Sequence, residues 1–251
     1  MNSSIFEPKL SFSLHPTHLS SMRKVILTLV LLALVMVTVW RVPFMPEIPS
    51  ISGYLPLHTV LEIISVVISM LVFAVGWNAY SGKLPGNIVM LASVLLGVGV
   101  LDLSHTLSYA GMPSFVTSSG ADKAIYFWLA ARLLATAALF VFAILPWRPF
   151  PSAITRYLLL ALVLALVAAT HWLFLFHFDL LPDVFHPDHG LSMFKINAEY
   201  VLIALNLVTA LALWLRMRKP QPLYVAALFG AVCTMAMSEF FFTIYADVTD
   251  I

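Results

Sequence analysis

The chain has 251 residues, of which 61% are hydrophobic and only 10% are charged, and its mean hydropathy is +0.98. Soluble domains average about 45–50% apolar and about 25% charged residues, so this composition excludes a soluble globule and indicates a membrane protein. The net charge of +1 provides no basic patch for nucleic acid, which is therefore excluded as a partner. The single cysteine, Cys233, has no second cysteine in the chain with which to form a disulfide.

Seven apolar segments are long enough to cross the bilayer as helices, which takes roughly 17–25 residues. In chain order they run over 23–41, 57–80, 84–108, 124–145, 154–176, 196–216 and 221–246. Glycine and proline separate several of them, and the longest connection between them, 177–195, is long enough only to cap the bundle. The sequence therefore predicts an all-α polytopic bundle of seven transmembrane helices, with an N-terminal tail over 1–22 and a transmembrane domain over 23–251.

The basic residues predict the orientation of the bundle. Nine lie on the side of the N-terminus, namely Lys9, Arg23, Lys24, Lys83, Arg148, Arg156, Arg216, Arg218 and Lys219. Three lie on the opposite side, namely Arg41, Lys123 and Lys195. Because cytoplasmic segments carry the excess of Lys and Arg, we expect a cytoplasmic N-terminus and, after seven crossings, an extracytoplasmic C-terminus.

Ionisable residues within the spans collect in the extracytoplasmic half. His58 and Glu62 are four residues apart near the start of the second span, and Asp102 and His105 are three apart at the end of the third. Each pair shares one face of its helix, so two antiparallel neighbours can present two imidazoles and two carboxylates to one point. Asp102 needs a partner or a proton, because it lies near a helix C-terminus, where the helix dipole disfavours negative charge.

Several interpretations of these side chains stay open. In the first interpretation, His58 and His105 are interfacial residues that reach the water of the headgroup region. In the second, they belong to a structural polar cluster that binds no ligand. In the third, they bind a metal or a haem, since imidazole together with carboxylate suits zinc, iron or copper. Deeper in the bundle, Arg132 is expected to pair with Glu239 as a structural ion pair or a switch, because an unpaired buried charge is costly.

Five blocks of sequence follow one another over about residues 54–251: LHTVLEIISVVISMLVFAVGWNAY, LDLSHTLSYAGM, WLAAR, GLSMFKINAEYVL and SEFFFTIYADVTD. Together they resemble the membrane-associated sensor domain of the third MASE type. The resemblance implies an integral-membrane input module of a bacterial signalling protein, of the kind that precedes a cytoplasmic diguanylate cyclase, histidine kinase or PAS module. It points to the motif positions His58, Glu62, Asp102, His105, Tyr109, Gly111, Arg132, Lys195, Glu199, Glu239 and Asp247.

We therefore expect a non-enzymatic sensory input domain in the bacterial inner membrane, acting as a homodimer. It would detect a small ligand, a metal or a proton in an extracytoplasmic polar pocket that contains His58, Glu62, Asp102, His105, Tyr109 and Glu199. Relatives continue into a further apolar segment, so the chain is expected to lack a final helix and output module or to work without a tethered output. The alternative is a membrane-embedded redox protein or enzyme with a metal or haem on the same two histidines, and the identity of any cofactor stays open.

Overall fold

The computed structural model describes residues 14–41, 51–186, 190–221 and 223–243. Seven long helices account for most of these residues: α1 Pro16–Arg41, α2 Ile51–Ala79, α3 Gly86–Ser108, α4 Ala121–Ile144, α5 Ile154–Phe176, α6 Met193–Arg216 and α7 Val225–Phe242. All seven contain a segment long and apolar enough to cross a membrane. The prediction of seven membrane-spanning helices in an all-α fold is therefore confirmed. The last residues of the predicted seventh span, and the motif position Asp247, lie outside the described part of the chain.

The first helix begins at Pro16, inside the tail predicted over 1–22. Proline is well suited to the first helical position because its fixed φ matches the helix and its missing N–H has no partner there. The backbone N–H of the preceding His15 donates to the carbonyl of Met217 at 2.9 Å, and His18 Nε2 lies 3.1 Å from the carbonyl oxygen of Lys219. These contacts hold the start of α1 against the connection between α6 and α7.

α3 and α4 form the centre of the bundle. α3 packs against α2, α4 and α5, while α4 also contacts α6, and α7 lies between α6 and α1. Val98 and Leu101 of α3, Phe127 of α4 and Val163 of α5 fill the core between these helices. α1 and α2 expose most of their large apolar side chains, as helices that face lipid do.

Glycines allow α2 and α3 to approach each other closely. A Cβ atom at Gly76 would lie only 2.6 Å from the Cβ of Ala92, and one at Gly99 would lie 3.2 Å from the Cβ of Ser69. Small residues at such positions let two membrane helices pack backbone against backbone. The close approach brings the beginning of α2 beside the end of α3.

At this end of the bundle, which we call the histidine end, α2, α4 and α6 begin and α3, α5 and α7 end. The connection from α5 to α6 covers it with a 3₁₀ turn, Phe178–Leu180, and a two-residue hairpin of β1, Phe185–His186, and β2, Gly190–Leu191. The backbone N–H of Phe185 donates to Asp122 Oδ1 at 3.0 Å, and the Tyr126 hydroxyl donates to the Pro182 carbonyl. The connection is a cap on the bundle, as its length predicted.

Candidate functional site

Three side chains from α2 and α3 converge at the histidine end. His58 and Glu62 lie one turn apart on α2, and His105 lies in the last turn of α3. One potential ligand atom from each of the three residues lies within 4.8 Å of those of the other two. The rings of His58 and His105 are in edge contact, with centroids 5.4 Å apart, and the ring of Tyr109 lies 4.4 Å from that of His58. We call His58, Glu62 and His105 the histidine cluster.

The orientation of the His105 ring is set by α4. His105 Nδ1 lies 2.8 Å from the backbone carbonyl oxygen of Ala124, and a carbonyl can only accept. Nδ1 therefore carries the proton, and the neutral ring presents the lone pair of Nε2 on its other side. His105 is only 6% exposed, so its ring has little freedom to turn away.

The turn after α3 places Tyr109 beside the cluster. Tyr109 caps α3 in an extended conformation, with φ −61° and ψ 151°. Two residues later Gly111 adopts φ 91°, a backbone conformation that favours glycine. The motif positions Tyr109 and Gly111 thus belong to one turn, which directs the chain back over the histidine end.

A salt bridge between α3 and α4 lies beside the histidine cluster. Arg132 Nη2 donates to both carboxylate oxygens of Asp102, at 2.7 and 2.8 Å. Asp102 is 1% exposed, so the argument that this carboxylate needs a partner identified a real requirement, and Arg132 is that partner. The bridge neutralises two charges that would be costly in the membrane if either stood alone.

The structure corrects the predicted ion pair of Arg132 with Glu239. The salt bridge of Arg132 is made with Asp102, and Glu239 acts on Arg132 only as a more distant charge. The reason is helix packing: α4 lies directly against α3, whereas α7 packs mainly on α6 and α1. Similar depth in the membrane was not enough to identify the partner.

A second polar group joins α6 and α7. Lys195 Nζ lies 2.5 Å from Glu199 Oε1 one turn along α6, and it also contacts the carbonyl of Phe242 at 3.4 Å. The carboxyl of Glu239 on α7 is close enough to Glu199 for the two groups to interact. We call Lys195, Glu199 and Glu239 the lysine cluster; each of the three is at most 1% exposed.

Glu199 therefore lies in a different group from the pocket residues with which it was predicted. Glu199 lies near the start of α6, where the helix dipole favours a negative charge, and Lys195 is its partner in a salt bridge. The spacing of four residues between them was the available signal. Arg132 lies close enough to both clusters for its charge to act on Glu62 and on Glu239.

The sequence of the chain matches one family model, MASE3, described as a membrane-associated sensor domain, over residues 49–251. The chain belongs to the MASE3 family. No curated protein and no solved structure gives a significant match. The resemblance in the five blocks of sequence is thereby confirmed, and with it a multi-pass membrane protein with a sensory input role.

In this MASE3 domain the matched unit is a sensor domain, not a catalytic one. The match does not favour the alternative of a redox protein or enzyme. Both polar clusters lie within the matched residues: His58 and Glu62 are on α2, the first helix of the matched region, and Glu239 is on α7, the last described helix of that region.

A further histidine of the MASE3 domain has a structural role. Nε2 of His171 on α5 lies 2.7 Å from the Ser104 hydroxyl oxygen of α3, while its Nδ1 lies 2.8 Å from the carbonyl oxygen of Val167. The Nε2 contact joins α5 to α3, and the Nδ1 contact with the carbonyl one turn earlier in α5 fixes the orientation of the ring. The side-chain amide of Asn206 on α6 donates to the hydroxyl of Thr136 on α4 at 3.3 Å and thereby joins these two helices.

Chemically, the histidine cluster offers two imidazoles and one carboxylate, a set that binds a metal cation or a small polar molecule. Asp102 differs from these three residues, because each of its carboxylate oxygens already accepts a hydrogen bond from Arg132. Glu62, in contrast, forms no hydrogen bond or salt bridge with any residue of the described ranges. The cluster is therefore an incompletely satisfied polar site, whereas the salt bridge beside it is satisfied.

Proposed function

We propose that the chain is the sensory input domain of a bacterial signalling protein of the inner membrane, and that its signal is received at the histidine cluster. The observation that carries the proposal is the convergence of His58, Glu62 and His105 in a family of membrane-associated sensors. Intramembrane ionisable residues are expensive and are retained mostly for function. The signal would be a small ligand, a metal or a proton that changes the interactions of these three side chains.

The proposed orientation places the histidine end outside the cytoplasm, because nine of the basic residues lie toward the opposite end of the spans. A labelling experiment tests this. In a background with Cys233→Ser, a cysteine at the exposed Ser118 should react with an impermeant maleimide added to intact cells, and a cysteine at the exposed Lys83 should react only after the cells are opened. The reverse pattern would show that the orientation is wrong.

The signal would travel by a shift of α2, α3 and α6. α2 packs chiefly on α3, so a ligand that pulls His58 and His105 together changes the main contact of α2 with the rest of the bundle. Arg132 extends the effect, because its charge acts on Glu62 and on Glu239 in the lysine cluster. A ligand produces such a shift only if it binds one arrangement of the helices more tightly than the other.

The partners proposed for the domain follow from its place in the membrane and from its family. Lipid surrounds the exposed apolar faces of α1 and α2. In longer relatives the output would be a tethered diguanylate cyclase, histidine kinase or PAS module, and two sensor domains would act together as a homodimer.

Thermal unfolding of the chain in nanodiscs tests the site. A panel of divalent metals, small amines and small carboxylates, and a pH series, is applied to the wild type, to His105→Ala and to the control His177→Ala. His177 lies just beyond α5 at the same end of the bundle, against Trp172. At least one condition should raise the Tm of the wild type and the control but not of His105→Ala. If every shift were shared by His105→Ala, the site would be assigned wrongly.

A further inference from the structure

The three side chains of the histidine cluster have the composition and the spacing of a metal site. Two imidazole nitrogens and one carboxylate oxygen lie within 4.8 Å of one another. Around a tetrahedral zinc ion with bonds of about 2.0–2.1 Å, ligand atoms lie roughly 3.3 Å apart, so the three atoms need to approach by about 1.5 Å at most. Side-chain rotation on two packed helices covers that distance. We propose that His58, Glu62 and His105 bind a divalent transition metal of the zinc type.

The hydrogen bond of His105 supports metal binding on the opposite side of its ring. Histidines that bind metals almost always donate their other ring N–H to a carboxylate, a backbone carbonyl or a water, which fixes the tautomer and orients the ring. His105 makes this contact, from Nδ1 to the carbonyl oxygen of Ala124 at 2.8 Å. Nε2 is therefore deprotonated and directed away from α4, in the state a metal requires.

Charge balance also indicates a cation at Glu62. Asp102 pairs with Arg132 and Glu199 pairs with Lys195, while Glu239 interacts with Glu199. Glu62 makes no salt bridge or hydrogen bond with another of the described residues. A half-buried carboxylate in a membrane span is costly without a cation, and a metal on the two histidines provides one.

The ligand set also narrows the class of metal. Two histidines and one glutamate are a known set for zinc in sites that keep a coordination position open, and the same set suits other divalent metals of borderline softness. The open position would hold water or a small ligand at the histidine end. A haem does not fit between these imidazoles, because their rings are in edge contact. This inference rests on the proposed function, since it names the ligand class of the same site.

Equilibrium metal binding to the full chain tests the inference. The protein in nanodiscs is stripped with a chelator and titrated with Zn²⁺ against a chromophoric competitor, and with Co²⁺, whose visible absorption reports nitrogen and oxygen ligands. The wild type should bind one Zn²⁺ per chain. His58→Ala, His105→Ala and the isosteric Glu62→Gln should each weaken binding at least by the roughly 10–100-fold that follows the loss of an outer-shell partner. His177→Ala should bind as the wild type does.

Two outcomes would overturn the inference: a wild type without stoichiometric zinc, or three cluster variants that bind zinc as tightly as His177→Ala. Circular dichroism and gel filtration show which variants are folded. If His105→Ala does not fold, Glu62→Gln is the variant that tests zinc binding, because glutamine has the same shape as glutamate. The thermal unfolding panel separates this failure from failure of the sensory site. If a non-metal ligand or a pH change stabilises the wild type but not His105→Ala, the metal is wrong and the sensory site stands.

Discussion

Replacing Asp102 by asparagine should destabilise the bundle more than replacing any exposed acid. The substitution removes the negative charge opposite Arg132, and it replaces one of the two oxygens that accept its hydrogen bonds of 2.7 and 2.8 Å by an NH2 group that cannot accept. Removing one partner of a buried pair typically costs about 3–5 kcal/mol, because the other charge stays buried. The side chain of Arg132 retains 24% exposure and the charges of Glu62 and Glu239 also act on it. We therefore expect the lower end of that range, about 3 kcal/mol, or more than a hundredfold in the unfolding equilibrium.

A double-mutant cycle measures this loss and assigns it to the salt bridge. Asp102→Asn, Arg132→Gln and the double variant are unfolded with SDS in mixed micelles, with helix content followed by circular dichroism. Each single variant leaves one buried charge, whereas the double variant leaves none, so the double variant should be more stable than the sum of the two single losses predicts. Asp179→Asn, in the exposed part of the cap, is the control and should change stability by less than about 0.5 kcal/mol.

The reasoning would be refuted if Asp102→Asn behaved like Asp179→Asn, or if the two losses at Asp102 and Arg132 were simply additive. Additive losses would mean that the two side chains do not stabilise each other, whatever their distance in the structure. The salt bridge would then not stabilise the packing of α3 against α4.

Two further substitutions test the packing and the lysine cluster. Lys195→Met should destabilise the bundle by roughly 3–5 kcal/mol, because it leaves the buried carboxylate of Glu199 without its cation. Adding Glu199→Gln should restore much of the lost stability. If the double variant were no more stable than Lys195→Met, the salt bridge between Lys195 and Glu199 would be wrong. Gly76→Ala should cost about 1–3 kcal/mol, because its Cβ would lie 2.6 Å from the Cβ of Ala92. Gly82→Ala, whose Cβ meets nothing within 4 Å, is the matched control, and equal effects of the two glycine substitutions would refute the close approach.

The seven helices were predictable because each depends on a local property, a run of apolar residues long enough to cross the bilayer. The convergence of His58 and Glu62 with His105 was also predictable, since spacings of three and four residues fix a helix face and two consecutive spans are usually neighbours. The start of α1 at Pro16 could not be predicted from hydropathy, because residues 16–22 are mostly polar. Their helix is held by contacts of His15 and His18 with the connection between α6 and α7.

The partners of the buried charges could not be predicted from depth alone. Arg132 and Glu239 were matched because both lie in the same half of the membrane, but the choice between Glu239 and Asp102 depends on which helices touch. Sequence periodicity does not give the neighbours of a helix in a bundle of seven. The contact of Lys195 with Glu199, in contrast, follows from their spacing within one helix and was available in the sequence.

Hydrogen exchange at the end of the bundle opposite the histidine cluster tests most directly whether this domain is a sensor. The 23 residues of α3 make it about 35 Å long at 1.5 Å per residue, so residues 76–79 of α2 and 86–89 of α3 lie far from Glu62. In nanodiscs, Glu62→Gln should change exchange in these two turns several-fold relative to the wild type, while His177→Ala should not. A change confined to the histidine end, or the same change in both variants, would contradict transmission from the cluster through the bundle.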